Sequence, residues 1–133
     1  MNKLMLTAAL TVSSFALAST WDIDTAHAAA NFSVKHLAIS SVNGTLGDVT
    51  GKVEMDDKDF TKSKVEVSVD LKGINTKQSK RDDHLRSPDF FNAAQFPTAT
   101  FKSTKVEKAA DGWNVTGDFT LRGKTKSDRK SVV

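Results

Sequence analysis

The residues that could do chemistry are few. His occurs at positions 27, 36 and 84, and the chain has no Cys and no Tyr. The lack of Cys excludes disulfides, thiolate metal sites, iron–sulfur clusters and a Cys nucleophile. His-based zinc sites favour close pairs on one element. The three His here fall on separate segments, so hydrogen-bonded structural His is expected, with no metal and no other cofactor. A metal-assisted hydrolase built on His27, His36 and His84, with Asp82 and Asp83, is the enzymatic alternative. No G-x-S-x-G elbow, G-x-G-x-x-G turn or G-K-[ST] loop occurs, which leaves a Ser hydrolase and a nucleotide site unsupported. Two groups remain. Arg81-Asp82-Asp83-His84 reads either as a polar clamp at a pocket mouth, with Arg81 the anion donor, or as a self-paired helix surface. One helical turn cannot aim all four inward, so at most two can serve a ligand. Phe90, Phe91, Phe96 and Phe101 crowd one stretch, where core packing and the lining of a ligand cavity both fit.

The elements that must position these residues alternate with period two. Val65, Val67, Val69 and Leu71 interleave with Lys64, Glu66, Ser68 and Asp70. Trp113, Val115, Phe119 and Leu121 alternate with polar residues, as do Ala30, Phe32, Val34 and His36, and Ala99 with Phe101. Such runs are strands with one buried and one wet face. Trp21–Thr25 reads as a further short strand. Between Val42 and Met55 the apolar parity switches at Gly47-Asp48, which predicts a bulge, kink or tight turn. Asp111-Gly112 predicts a hairpin. Residues 75–97 do not alternate. Ser79-Lys80-Arg81-Asp82 resembles a capping box, and Ser87-Pro88 signals a second helical start. A short helix at about 80–86 and a turn at about 88–92 are expected, an insertion placed to form a rim or ligand mouth. The fold class is all-β, a sandwich or barrel with a short helical insertion around 79–92. Gly44, Gly51 and Gly117 fall on inward parity, which favours an internal cavity over a filled core.

A length of 133 residues fits one domain, and 26% charged with 38% hydrophobic residues is ordinary for a folded chain. The net charge of +3 is mild and the Lys residues are scattered, so no nucleic-acid partner is expected. Residues 1–18 read as a secretory signal peptide. Lys3 is basic, Leu4 to Leu17 is mostly apolar and uncharged, and Ala16-Leu17-Ala18 is an A-x-A cleavage site. The apolar run is shorter than the roughly 20 residues a bilayer requires. Cleavage after Ala18 would release residues 19–133 to the periplasm, with no stable membrane insertion of the mature chain.

Taken together, several motifs resemble one known family. Trp21-Asp22-Ile23-Asp24, Ala26-His27 and Phe32-Ser33-Val34-Lys35-His36 resemble its opening, followed by Val42-Asn43-Gly44. Arg81-Asp82-Asp83-His84-Leu85, Ser87-Pro88-Asp89-Phe90-Phe91 and Phe96-Pro97 match its most specific stretch. Phe101-Lys102-Ser103, Val115 to Leu121 and Gly123-Lys124-Thr125-Lys126 complete the set. This is similar to the YceI-like family of bacterial periplasmic proteins, over about 21–126. The resemblance implies a lipocalin-like antiparallel β-barrel holding a polyisoprenoid or other long-chain lipid in its lumen, without catalysis or a required metal. By position it implies a lining of Phe32, Val34, Val67, Val69, Phe90, Phe91, Phe101 and Phe119, with Arg81 and His84 near the mouth. The family continues past Gly-x-Thr-Lys with further closing strands, whereas this chain runs Ser127 to Val133. A truncated or frameshifted product is therefore expected, an incomplete barrel of six or seven strands where closure takes about eight. The predicted function is a periplasmic carrier or buffer for an apolar lipid. A stress-response interaction protein is the second alternative, and a homodimer is left open as the assembly.

Overall fold

The computed structural model describes residues 18–36 and 39–133. The expected signal peptide lies outside the described residues except for Ala18. Among the described residues eight strands form: β1 (Ala18–Asp22), β2 (Asn31–His36), β3 (Ser40–Thr45), β4 (Val49–Asp56), β5 (Lys64–Asp70), β6 (Thr98–Ala109), β7 (Gly112–Leu121) and β8 (Lys124–Val132). One helix, α1 (Ser79–Arg86), and a 3-10 turn (Phe60–Lys62) complete the elements. Six strands make one antiparallel sheet in the order β1-β4-β5-β6-β7-β8, and β2 with β3 makes a separate antiparallel ribbon. The sheet curves but does not close.

The alternating runs form strands because each can turn its Val, Phe and Leu to one side. Register aligns Gly51, Val67, Phe101 and Phe119 in one cross-strand row, and Val49, Val69 and Ala99 in the next. Leu71, Ala93 and Ala99 form the buried centre, with Leu46, Phe91, Phe119 and Leu121 packed around it. At the far end Phe60 packs against Trp113 with ring centroids 4.4 Å apart.

The parity switch at Gly47-Asp48 is where the chain leaves the ribbon and enters the large sheet. Leu46 N donates to Ala30 O, and Gly47 N to Asp70 O, each at 2.8 Å. The approach is too close for a side chain, since a Cβ on Gly47 would lie 2.6 Å from Asp70 Oδ2. The β6–β7 hairpin forms one place earlier than Asp111-Gly112 suggested, with Ala110-Asp111 as its loop and Gly112 paired with Ala109. The first strand is Ala18–Asp22 rather than Trp21–Thr25, because the Asp24 carboxylate accepts from Ala26 N and His27 Nδ1 and turns the chain there. Strand β8 was not legible. Its sequence KTKSDRKSV has no apolar alternation, yet all nine residues pair with β7. The turn before it supplies the missed signal, since Arg122 and Gly123 both have positive φ, the conformation of a two-residue hairpin loop.

Helix α1 begins where expected but is capped differently. Gln78, not Ser79, is the N-cap, its side chain accepting from Arg81 N. Asp82 does not reach back to Ser79. It accepts instead from Thr76 N and Thr76 Oγ1. Ser87 closes the helix rather than starting another, donating its hydroxyl to His84 O at 2.7 Å, and turns follow at 88–91.

Candidate functional site

One face of α1 looks onto the β2–β3 ribbon. Arg81, His84 and Leu85 stand at i, i+3 and i+4 and so share that face. Between them and the ribbon lies a cavity of about 600 Å³. The ribbon contributes Phe32, Val34 and Val42, the bend after β3 contributes Leu46, and the turn after α1 contributes Phe90 and Phe91. Val34 and Val42 are direct cross-strand partners. The cavity opens past Val34, 56% exposed, and Phe90, 48% exposed.

The helix is fastened by polar contacts that leave the cavity wall apolar. Arg81 Nε donates to Thr76 Oγ1 at 2.7 Å and its Nη2 to Thr76 O at 2.8 Å. Arg86 Nε donates to Lys72 O, Nη2 to Ile74 O and Nη1 to Asp83 Oδ1. Asp82 and Thr76 are both buried. Hydrogen bonds from the Thr76 hydroxyl, then its amide, hold the Asp82 carboxyl below the usual carboxylate value, with the Arg86 and Arg81 charges adding to the effect. His84 Nε2 donates to Asp89 Oδ2 at 3.0 Å, and its ring meets Phe90 edge-on with centroids 4.9 Å apart. Of the four consecutive ionisable residues, only Arg81 and His84 line the cavity. On the exposed side of the helix Asp83 pairs with Arg86, while His84 pairs with Asp89 beyond the helix.

The ten expected lining residues do not share one wall. Phe32, Val34, Arg81, His84, Phe90 and Phe91 surround the cavity. Val67, Val69, Phe101 and Phe119 stand on the large sheet and do not line that cavity. Phe119 packs on the cluster around Leu71 and Ala93, and Val67 with Phe101 borders a second hollow of about 400 Å³ beside Gly51. Nor do the inward glycines simply leave space. A Cβ on Gly44 would lie 2.6 Å from Phe32 Cζ, and one on Gly117 would lie 2.6 Å from Phe101 Cζ. Both sites admit a neighbouring ring. Val42, Leu46 and Leu85 were missed as lining. The shared parity of Val42 and Leu46 with the ribbon's inner face could have found the first two. Leu85, one apolar residue in a polar helix, carried no local signal.

His27 pairs with Asp24 at 2.7 Å, on a different element from His84, and the His36 side chain lies outside the described residues. Among the described residues no three His, Asp or Glu side chains converge as a metal site requires. No helix among them is long and apolar enough to cross a membrane.

A family comparison gives a match to the YceI-like domain over residues 21–129. The chain belongs to the YceI-like family. Protein YceI of Escherichia coli O17:K52:H18 is 44% identical over 100 residues, covering 75% of this chain and 52% of the relative. The chain thus spans about half the length of the curated relatives it matches. Burkholderia cenocepacia BcnA superposes with a TM-score of 0.73 at 22% identity, over 80% of this chain and 67% of BcnA. A polyisoprenoid-binding domain from Saccharophagus degradans superposes with a TM-score of 0.59 at 17% identity, over 85% of this chain and 65% of that one. The fold is the lipocalin-like antiparallel sheet of YceI and BcnA, with one short helix and the sheet open.

Proposed function

We propose that this YceI-like domain holds the apolar chain of an isoprenoid or related lipid, as a non-catalytic carrier or buffer in the periplasm. The cavity carries the reading. Seven of its nine lining residues are Phe, Val or Leu, and the two polar ones are already engaged by their neighbours, Arg81 with Thr76 and His84 with Asp89. A polar substrate would lose its hydration without finding replacement partners. An apolar tail gains, since burying about 300 Å² at roughly 25 cal/mol/Å² contributes about 7 kcal/mol before the costs of association. That scale suits reversible carriage. The wall presents no nucleophile paired with a base, so a catalytic role has no support in it. Family membership and the fold shared with the polyisoprenoid-binding domain of Saccharophagus degradans support the choice of ligand class. The basic start, apolar run and A-x-A of residues 1–18 support export.

The test is extraction of lipid from protein purified out of the periplasmic fraction of an expressing bacterium, followed by mass spectrometry. Near-stoichiometric isoprenoid lipid is expected, and Phe91→Glu should abolish it. Protein that folds, leaves the cell and yields no lipid would overturn the reading.

A further inference from the structure

The strand that carried no apolar signal has its charges on an unexpected side. In β8, Lys124 lies opposite Leu121, Lys126 opposite Phe119 and Lys130 opposite Val115. Directly opposed residues of an antiparallel pair share a face. Three of the four β8 cations therefore stand on the apolar side of the sheet, while Thr125, Ser127, Arg129 and Ser131 alternate onto the other. The placement of Lys130 confirms the face, with its ammonium 5.7 Å from the Phe119 ring centroid. Lys130 gives its charge to Asp128 at 2.6 Å. Lys124 and Lys126 make no ion pair among the described residues.

These two lysines follow the turn that is tied to the Phe90 loop. Phe119, the neighbour of Lys126, packs on the same buried cluster as Phe91 and Leu46, which line the cavity. The β7–β8 turn is tied to the mouth, because Arg122 Nη1 donates to Phe90 O at 2.7 Å. The nearest acid on that loop, Asp89, is occupied by His84.

We infer that Lys124 and Lys126 form an anion-selective rim, taking the negatively charged head group of a single-chain isoprenoid whose tail enters the cavity past Phe90 and Phe91. This rests on the carrier reading above and adds the head-group class. Lysine suits the task as a flexible point charge on an apolar stem that can lie along Phe119 and Leu121. The competing explanation is edge protection, in which inward-pointing charges keep an exposed strand from pairing with another chain.

The experiment titrates the full mature chain with geranylgeranyl phosphate and with geranylgeraniol, which share a tail and differ in charge. The phosphate should bind roughly tenfold more tightly at low salt, and the gap should narrow as salt rises. The double variant Lys124→Gln/Lys126→Gln should erase that preference and leave the alcohol's affinity unchanged, while Lys58→Gln, at the far end of the sheet, should retain the preference. Equal binding of the two probes by the unaltered chain overturns the rim and leaves the carrier reading intact. So does a preference that survives the double variant, or a double variant whose only change is aggregation. Binding of neither probe overturns both.

Discussion

Gly44→Ala tests how the cavity wall is built. Gly44 pairs with Phe32 across the ribbon. A methyl group there would lie 2.6 Å from Phe32 Cζ, 2.8 Å from Phe32 Cε1 and 2.8 Å from Thr76 Cγ2. Carbon atoms rest about 3.5–4.0 Å apart, so roughly 1 Å must be found. The two neighbours are unequal. Thr76 is buried and donates both its amide and its hydroxyl to Asp82, so it cannot give way. Phe32 borders open volume, so its ring tips into the cavity. Overpacking of this kind costs about 1–3 kcal/mol, and replacing Gly by Ala in a strand returns about 0.5–1 kcal/mol. The net loss is up to about 2.5 kcal/mol, which at roughly 3–5 °C per kcal/mol lowers Tm by up to about 12 °C. A displaced ring excludes one or two methylenes of a bound tail at about 0.8 kcal/mol each, raising Kd about 4- to 15-fold. Thermal denaturation and calorimetric titration with geranylgeraniol read both effects. Phe32→Leu shortens the side chain that must move, so in that background the added methyl should cost about 1 kcal/mol less. An unchanged Tm and Kd, or an equal cost in both backgrounds, would refute the seating of Phe32 on Gly44.

Three further outcomes follow from particular contacts. Leu71 is fully buried at the centre of the core, so Leu71→Ala should cost about 2–5 kcal/mol in denaturant titrations. The Asp82 carboxyl is held below its ordinary value, so its stabilisation is fully present above about pH 4 and is lost as pH falls through the depressed folded value. Asp82→Asn should therefore flatten the acid limb of the stability curve, without abolishing it, because Asp59, Glu66 and Asp128 are depressed in the same direction. Removing the tie between Arg122 and the Phe90 carbonyl should loosen the cavity mouth, so Arg122→Ala should speed proteolysis within 87–92 while costing only about 1 kcal/mol of global stability. Cleavage at the unaltered rate would show that the turn does not brace that loop.

Legibility followed the range of the interactions. The strands with a buried and a wet face could be read because period two is written locally, and the switch at Gly47-Asp48 could be read for the same reason. The helix could be placed from its break in alternation. Its cap could not, because Asp82 is taken by Thr76 from outside the helix, leaving Gln78 to do the capping. The cavity residues Phe32 and Phe91 are far apart in sequence, and family resemblance grouped them with Val67 and Phe101 as one lining. The fold divides them because Phe32 belongs to the β2–β3 ribbon and Phe91 to the turn after α1, whereas Val67 and Phe101 pair within the large sheet.

Composition and pattern alone determined an all-β chain without thiol chemistry, one short polar helix, and a crowding of Phe residues between 90 and 101 that suits either core packing or a cavity wall. Those properties depend on each residue's own chemistry and its near neighbours. Tertiary structure decided which rings enclose open volume and which pack solid. It also decided that Arg81 and Arg86 fasten the helix, and that the lysines of β8 stand on the apolar face. Those outcomes depend on strand register and on where the chain crosses from ribbon to sheet, and contacts between distant segments settle both.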